Sequence, residues 1–247
     1  MLNTPTLINP ILIHMAHSGL STAEISKTMT SLLTPSATQV HFLGVFPSDQ
    51  FPVARFLYPT AQANSLNTPA ICTIINTDPS TSPGQHWVAF FKSQNGNLKE
   101  VEFFDSYGQK PDIYGFNFPP DFHIISNTFP LQSLNTSVCG HYCILYLYLR
   151  SSNLIHCTLD QVTVKIHSLA KTSTLRDHQV KLLVSKLAHA SRHRNSRLYC
   201  PSTLLPSALD LAQPLMLCPQ ISRSYSFRHA YLIEQANHSS FPISEFL

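Results

Sequence analysis

Glycine is scarce in this chain, with 7 residues in 247 against 18 prolines. That imbalance predicts many stiffened loops and few left-handed turns. Charge is scarce as well: Asp, Glu, Lys and Arg make up 12% of the sequence, about half the usual share. Long apolar runs are missing. The longest, Val138 to Leu149, is interrupted by Gly140 and His141 and falls short of the roughly 20 residues a membrane span needs. No transmembrane helix and no membrane partner are expected. No basic stretch precedes an apolar one at the amino terminus, and Asn3 and Pro5 come early, so a secretory signal is not expected either. The six cysteines (72, 139, 143, 157, 200 and 218) lack the density and spacing of a disulfide scaffold. They read as reduced thiols in an intracellular compartment.

The hydrophobic share is 43%, with 10% aromatic, enough to build a core that offsets the ordering entropy of the chain. The length suits one sizeable domain, or one domain with an appendage. The net charge of +3 conceals a division. Residues 1–149 carry 5 Lys/Arg against 8 Asp/Glu, residues 150–200 carry 9 against 2, and residues 201–247 carry 2 against 3. Positive charge is therefore concentrated in one segment.

Three units follow from the pattern: an arm over 1–19, a domain over 20–198 and an extension of unassigned role over 199–247. Ser21 and Glu24 form a capping-box pattern, and Ile25, Met29, Leu32 and Leu33 then recur at helical spacing, which predicts a helix over 21–33. Pro47, Pro52, Pro59 and Pro69 predict a long irregular connection into the first strand. Strands are predicted over Ala70 to Asn76, His86 to Phe91, Lys99 to Phe104 and Phe122 to Ser126, with a hairpin turn at Asn95-Gly96-Asn97. Cys139 to Arg150 is apolar on nearly every face and predicts a helix buried in the middle of the domain. Further helices are expected over Leu159 to Ala170 and Leu175 to Arg192. Val180, Leu183, Val184 and Leu187 form the inward face of the second.

Three stretches carry the residue types of a thiol hydrolase: TSPGQHWVAFF at 81–91, VEFFDSYG at 101–108 and LQSLNTSVCGHY at 131–142. His86 opens a strand, where its ring can face a cleft. Asp105 ends a strand of the same sheet, close enough after a hairpin to fix the imidazole tautomer. Cys139 opens the buried helix, where unpaired N–H groups and the positive end of the helix dipole favour thiolate over thiol. Gln132, on the loop before that helix, could donate to the oxyanion formed when the thiolate attacks a carbonyl. Ser133 or another nearby hydroxyl is the alternative donor. Trp87 is expected to shield the site and border the substrate groove. Cys139, His141 and Cys143, with His156 and Cys157 nearby, lack paired C-x-x-C or H-x₃-H spacing, so no metal is expected. Cys143 is read as core.

The order His-Trp, then Phe-Asp-x-aromatic-Gly, then Gln-Ser-x-Asn-x-x-x-Cys-Gly-x-aromatic-Cys resembles the adenovirus-type maturation cysteine protease (adenain) family, which is related to the SUMO- and ubiquitin-like-specific proteases. The resemblance reaches back to Phe42-Leu43-Gly44 and covers roughly residues 20–195. Val138, rather than Asp, stands before Cys139, which favours the adenain branch. The resemblance implies an α+β fold with papain-like architecture and permuted His-Asp-Gln-Cys order, a small mixed β-sheet packed against a buried central helix. It implies His86 as general base, Asp105 as its orienting acid, Cys139 as nucleophile and Gln132 as oxyanion donor.

The implied activity is a cysteine endopeptidase cutting viral or virus-like-element precursor proteins at glycine-containing sites, acting as a monomer in the host nucleus and virion. No cofactor is required for that chemistry, and the family pattern allows peptide and DNA activators. No Cys lies between Cys72 and Cys139, so an activating peptide would be non-covalent. Arg192, Arg194 and Arg197, with His189 and His193, form a basic patch at a helix end that is read as a DNA contact. The alternatives are a ubiquitin-like-protein (SUMO, NEDD8 or ubiquitin) isopeptidase and a non-catalytic nucleic-acid-binding module on a protease fold.

Overall fold

The computed structural model describes residues 19–33, 40–58, 70–93, 99–152 and 157–197, with side chains in the last helix as far as Arg192. The expected arm (apart from Gly19), the hairpin turn at 95–97 and the extension over 199–247 lie outside the described residues. Helix α1 (Thr22–Leu32) begins at Ser21, and both halves of the capping box form: the Ser21 hydroxyl accepts from the Glu24 N–H, and the Glu24 carboxylate accepts from the Ser21 N–H. Its Ile25, Met29 and Leu32 are buried.

The sheet has five strands in the order of the sequence: β1 (Val40–Pro47), β2 (Ala70–Asn76), β3 (Trp87–Ser93), β4 (Glu100–Phe104) and β5 (His123–Ser126). The two outer pairs are parallel and the two inner pairs antiparallel, so the expected mixed sheet is present. The sequence reading starts the sheet at β2 and misses β1. That strand breaks its alternation at a bulge between Phe42 and Val45, where Gly44 adopts φ 133° and its carbonyl accepts from the Thr73 hydroxyl. A second correction concerns the proline-rich connection, which holds a short helix, α2 (Val53–Leu57). Pro52 sits at its N-cap, where the absent proline N–H removes no helical hydrogen bond.

Strand alternation gives the sheet two apolar faces. Ile71, Ile75, Val88, Phe90, Val101 and Phe103 pack on one side with Phe56, Leu57, Phe116 and Phe122. The other side receives helix α3 (Cys139–Ser152), of which only Tyr148 and Ser152 escape burial. Phe104 stacks on Tyr146 with ring centroids 4.4 Å apart, and the Cys143 thiol donates to the Trp87 carbonyl. Glu102 reaches α3 from the same face. It accepts from Arg150 at 2.8 Å and from the Tyr146 hydroxyl at 2.6 Å, and the guanidinium lies 4.4 Å over Phe91. Helices α4 (Leu159–His167) and α5 (Ser173–Arg197) follow, with Val180 and Val184 of α5 buried and Leu183 and Leu187 half-buried. No helix among the described residues is long and apolar enough to cross a membrane.

Because Glu102 and Arg150 are both buried, removing one leaves the other without its main compensation in a poor solvent for charge. Glu102→Leu should cost about 3–5 kcal/mol of folding stability. Urea unfolding checks this, and adding Arg150→Met should recover part of the loss.

Candidate active site

Register brings the acid to the histidine. Ala89 of β3 pairs with Phe104 of β4 in antiparallel fashion, so His86, just before β3, and Asp105, just after β4, meet at one end of the sheet. Their side chains form a buried hydrogen bond of 2.6 Å between His86 Nε2 and Asp105 Oδ1. Asp105 is fully buried and its carboxylate is saturated. Oδ1 also accepts from the Tyr107 N–H, and Oδ2 accepts from the Gln109 N–H and the Tyr114 hydroxyl, each at 2.9 Å. The Asn127 side chain clamps the backbone of Asp105, accepting from its N–H and donating to its carbonyl. Gly108 closes the turn with φ 70°, and a Cβ there would meet the Phe129 backbone at 2.7 Å.

The other imidazole nitrogen, Nδ1, is buried without a hydrogen-bond partner, and the Cys139 sulfur lies close enough to act on the ring. Burial alone would lower the pKa of His86. The hydrogen bond to Asp105, the Cys139 side chain and the attraction of both groups outweigh it and raise the pKa from 6.5 to about 9. Cys139 is the first residue of α3, where an N–H has no partner within the helix. Gly140 lets the start of α3 approach its neighbours: a Cβ there would lie 3.0 Å from Ile25 and 3.3 Å from Trp87.

A cavity of about 620 Å³ opens at this point, lined by Gly19, Leu20, Ser21, Gly84, Trp87 and Cys139 among others. The Trp87 indole N–H donates to the Leu20 carbonyl and fixes one wall. The expected triad residues and Trp87 therefore share one site. Gln132 also reaches it, but both hydrogens of its amide are engaged within the protein, by the Thr136 carbonyl at 2.6 Å and the Tyr107 oxygen at 3.1 Å. Arg192 is exposed on α5, and the side chains of Arg194 and Arg197 lie outside the described ones. Among the described residues, no group of three or more His, Cys, Asp or Glu could hold a metal ion. The described cysteines, 72, 139, 143 and 157, are buried, and none is joined in a disulfide among the described residues.

No family model matches the chain. A stretch of 38 residues is 47% identical to the cysteine protease S273R of African swine fever virus (isolate Tick/Malawi/Lil 20-1/1983), and a stretch of that length is 45% identical to the SUMO-1 cysteine protease S273R of the Warthog/Namibia isolate. Each match covers 15% of this chain and 14% of the viral protein, about a seventh of its length. Among solved structures, the African swine fever virus pS273R protease aligns over 65% of each chain at 19% identity with a TM-score of 0.41. The central domain of the Lpg1148 protein of Legionella pneumophila aligns over 66% of this chain and 97% of that one, at 14% identity with a TM-score of 0.40. At these scores neither likeness adds to what the chain's own strands and helices show.

Sequence reasoning missed the groups that hold the site. Tyr107 stacks on His86 at 4.8 Å between centroids, and Tyr114 lies at 5.7 Å. Asp177, read only as one acid in a basic segment, accepts from the Ser133 N–H and from the Thr136 and Tyr142 hydroxyls. Its neighbour Arg176, fully buried, donates to the carbonyls of Leu131, His167 and Ala170. Tyr107 stood in the DSYG stretch already singled out. Nothing local marks the contacts of Arg176 with Leu131 and of Asp177 with Ser133, Thr136 and Tyr142, which join positions 35 to 45 residues apart in sequence.

The origin of the raised His86 pKa is testable without turnover. Asp105→Asn removes the charge while keeping the shape, and should bring the imidazole titration down from about 9 towards or below 6.5. Imidazole NMR shifts against pH measure this, and an unmoved midpoint would assign the shift to another group.

Proposed function

We propose that this chain is a cysteine protease that cleaves peptide bonds with Cys139 as nucleophile, His86 as proton carrier and Asp105 as the acid that orients the ring. The observation that carries the reading is the buried His86–Asp105 hydrogen bond with the Cys139 sulfur acting on the same imidazole. The local match to viral cysteine proteases supports it.

The Cys139 thiol passes its proton to His86 Nδ1 and the sulfur attacks the scissile carbonyl carbon, forming a C–S bond while the carbonyl π pair moves onto oxygen. The resulting oxyanion meets the Cys139 N–H and the donor group organised by Gln132. Collapse of the tetrahedral species breaks the C–N bond, and the leaving amine takes its proton from the His86 imidazolium. Water, losing a proton to His86, then attacks the thioester and releases the Cys139 sulfur. Asp105 keeps Nε2 engaged throughout, so Nδ1 is the nitrogen that exchanges protons. Glycine-containing precursor proteins are the proposed substrates, as the resemblance to the adenain family implies.

The viral relatives named SUMO-1 cysteine proteases favour a second reading, an isopeptidase for ubiquitin-like proteins. Cleavage of a SUMO or ubiquitin fusion, with no cleavage of glycine-containing precursor peptides, would select it. DNA is proposed as a partner of α5, on which Lys186 and Arg192 are exposed. Binding should be sequence-independent and weaken steeply with salt. Fluorescence anisotropy on a random duplex should show it at low salt, and replacing Arg192, Arg194 and Arg197 by Ser should remove most of it.

Cys139→Ala should abolish hydrolysis with the thermal midpoint nearly unchanged, and near-wild-type turnover in that variant would end the protease reading. Cys143→Ala should keep turnover and lose about 1 kcal/mol of stability, since it removes a buried hydrogen bond to the Trp87 carbonyl. Because the leaving amine needs the imidazolium, kcat/KM should fall as pH rises past about 9, where His86 loses its proton.

A further inference from the structure

Gln132 is placed to hold a donor, and its hydrogen-bonding partners identify that donor. The Thr136 carbonyl can only accept, so the nitrogen end of the Gln132 amide must face it, at 2.6 Å. The amide oxygen then lies on the other side, where the buried Ser106 hydroxyl donates to it at 2.8 Å. One amide hydrogen remains, and the Tyr107 oxygen accepts it at 3.1 Å. A phenol oxygen that accepts still has its own hydrogen to give, and no acceptor among the described hydrogen bonds takes it.

Tyr107 is also held firmly. It sits on the turn that carries Asp105, with its N–H on Asp105 Oδ1 at 2.9 Å. Its ring stacks on His86 at 4.8 Å with 28° between planes. The hydroxyl end lies within the electrostatic reach of Cys139, and burial, Cys139 and Asp105 together hold the phenol in its protonated, donating form.

We propose that Tyr107 is a further catalytic residue, donating its phenolic hydrogen to the oxyanion formed on the substrate carbonyl, with Gln132 as the positioning residue that holds and polarises it. The inference rests on the cysteine-protease reading and replaces direct donation by Gln132 within it. Direct donation would first have to break the contact with Thr136 or the one with Tyr107. Donation by Tyr107 breaks neither. Gln132 holds the Tyr107 hydroxyl in place before substrate arrives, and a donor fixed in advance is the kind that lowers a barrier most.

Tyr107→Phe tests it, because the ring and its stack on His86 remain while the hydroxyl goes. Its kcat should fall on the order of 10²-fold with KM little changed, as expected for an interaction made only in the transition state. The affinity for a peptide aldehyde, whose adduct with a thiol carries the same oxygen, should fall by a similar factor. Gln132→Ala should lower kcat as well. The double variant should be little worse than Tyr107→Phe alone, since the two act in series. Wild-type kcat in Tyr107→Phe, or losses that multiply in the double variant, would overturn the proposal and return the role to Gln132. Those outcomes are distinct from failure of the protease reading, which would appear as turnover in Cys139→Ala.

Discussion

A carboxylate with no exposed surface must find its whole solvation inside the protein, and Asp105 does so with four hydrogen-bond donors from three directions. The end of β4, the turn through Gly108 and the Tyr114 hydroxyl are all arranged around that requirement. His86 supplies the fourth donor, so the geometry that keeps a buried charge stable also fixes the imidazole. The tautomer follows with no further device: Nε2 carries the hydrogen given to Asp105, and Nδ1 is left towards Cys139.

A second arrangement holds the cysteine. The loop over 131–138 has little regular structure of its own, and such a segment would place a nucleophile poorly. Arg176 and Asp177, at the start of α5, bond to its Leu131 carbonyl, its Ser133 N–H and the Thr136 hydroxyl. Tyr142, one turn into α3, joins the same cluster, its hydroxyl lying 2.8 Å from Asp177 Oδ1 and 3.1 Å from the Leu131 carbonyl. Burial raises the pKa of Asp177 while its hydrogen bonds hold it down. The site therefore depends on the start of a helix in which the sequence reading found an apolar inward face and a basic far end but nothing that bears on the nucleophile.

What was legible in the sequence was local. The capping box of α1, the span of β2 and the start of α3 at Cys139 each follow from residues a few positions apart, and each is found where the pattern predicts it. His86, Asp105 and Cys139 could be gathered because motif order carries them, and strand register then brings the first two together. The bulged strand β1 was not legible, since Gly44 and Pro47 disguise its alternation. The engagement of Gln132 was hidden for a different reason. Its residue type announces a donor, but its engagement depends on the Ser106 hydroxyl, which donates to it, and on the Thr136 carbonyl and the Tyr107 hydroxyl, which accept, up to 26 residues away.

The low charge content takes on meaning at this scale. A chain with only 12% charged residues still buries Glu102, Asp105, Arg150, Arg176 and Asp177, a use of charge that solubility does not require. Apart from Lys92, which is also buried, these are the buried ionisable side chains of Asp, Glu, Lys and Arg among the described residues, and they bear on the position of α3 or of the histidine beside it. Glu102 grips the C-terminal half of α3 through Arg150 and Tyr146, and Asp177 grips its first turn through Tyr142. Packing of apolar side chains alone would tolerate a sliding helix, because its contacts are non-directional. Hydrogen bonds to buried charges do not, because each displaced partner leaves a charge uncompensated. Clamped at both ends, α3 presents Cys139 at a fixed height against His86, and a misplacement of about 1 Å at such a centre can cost on the order of 10²-fold in rate.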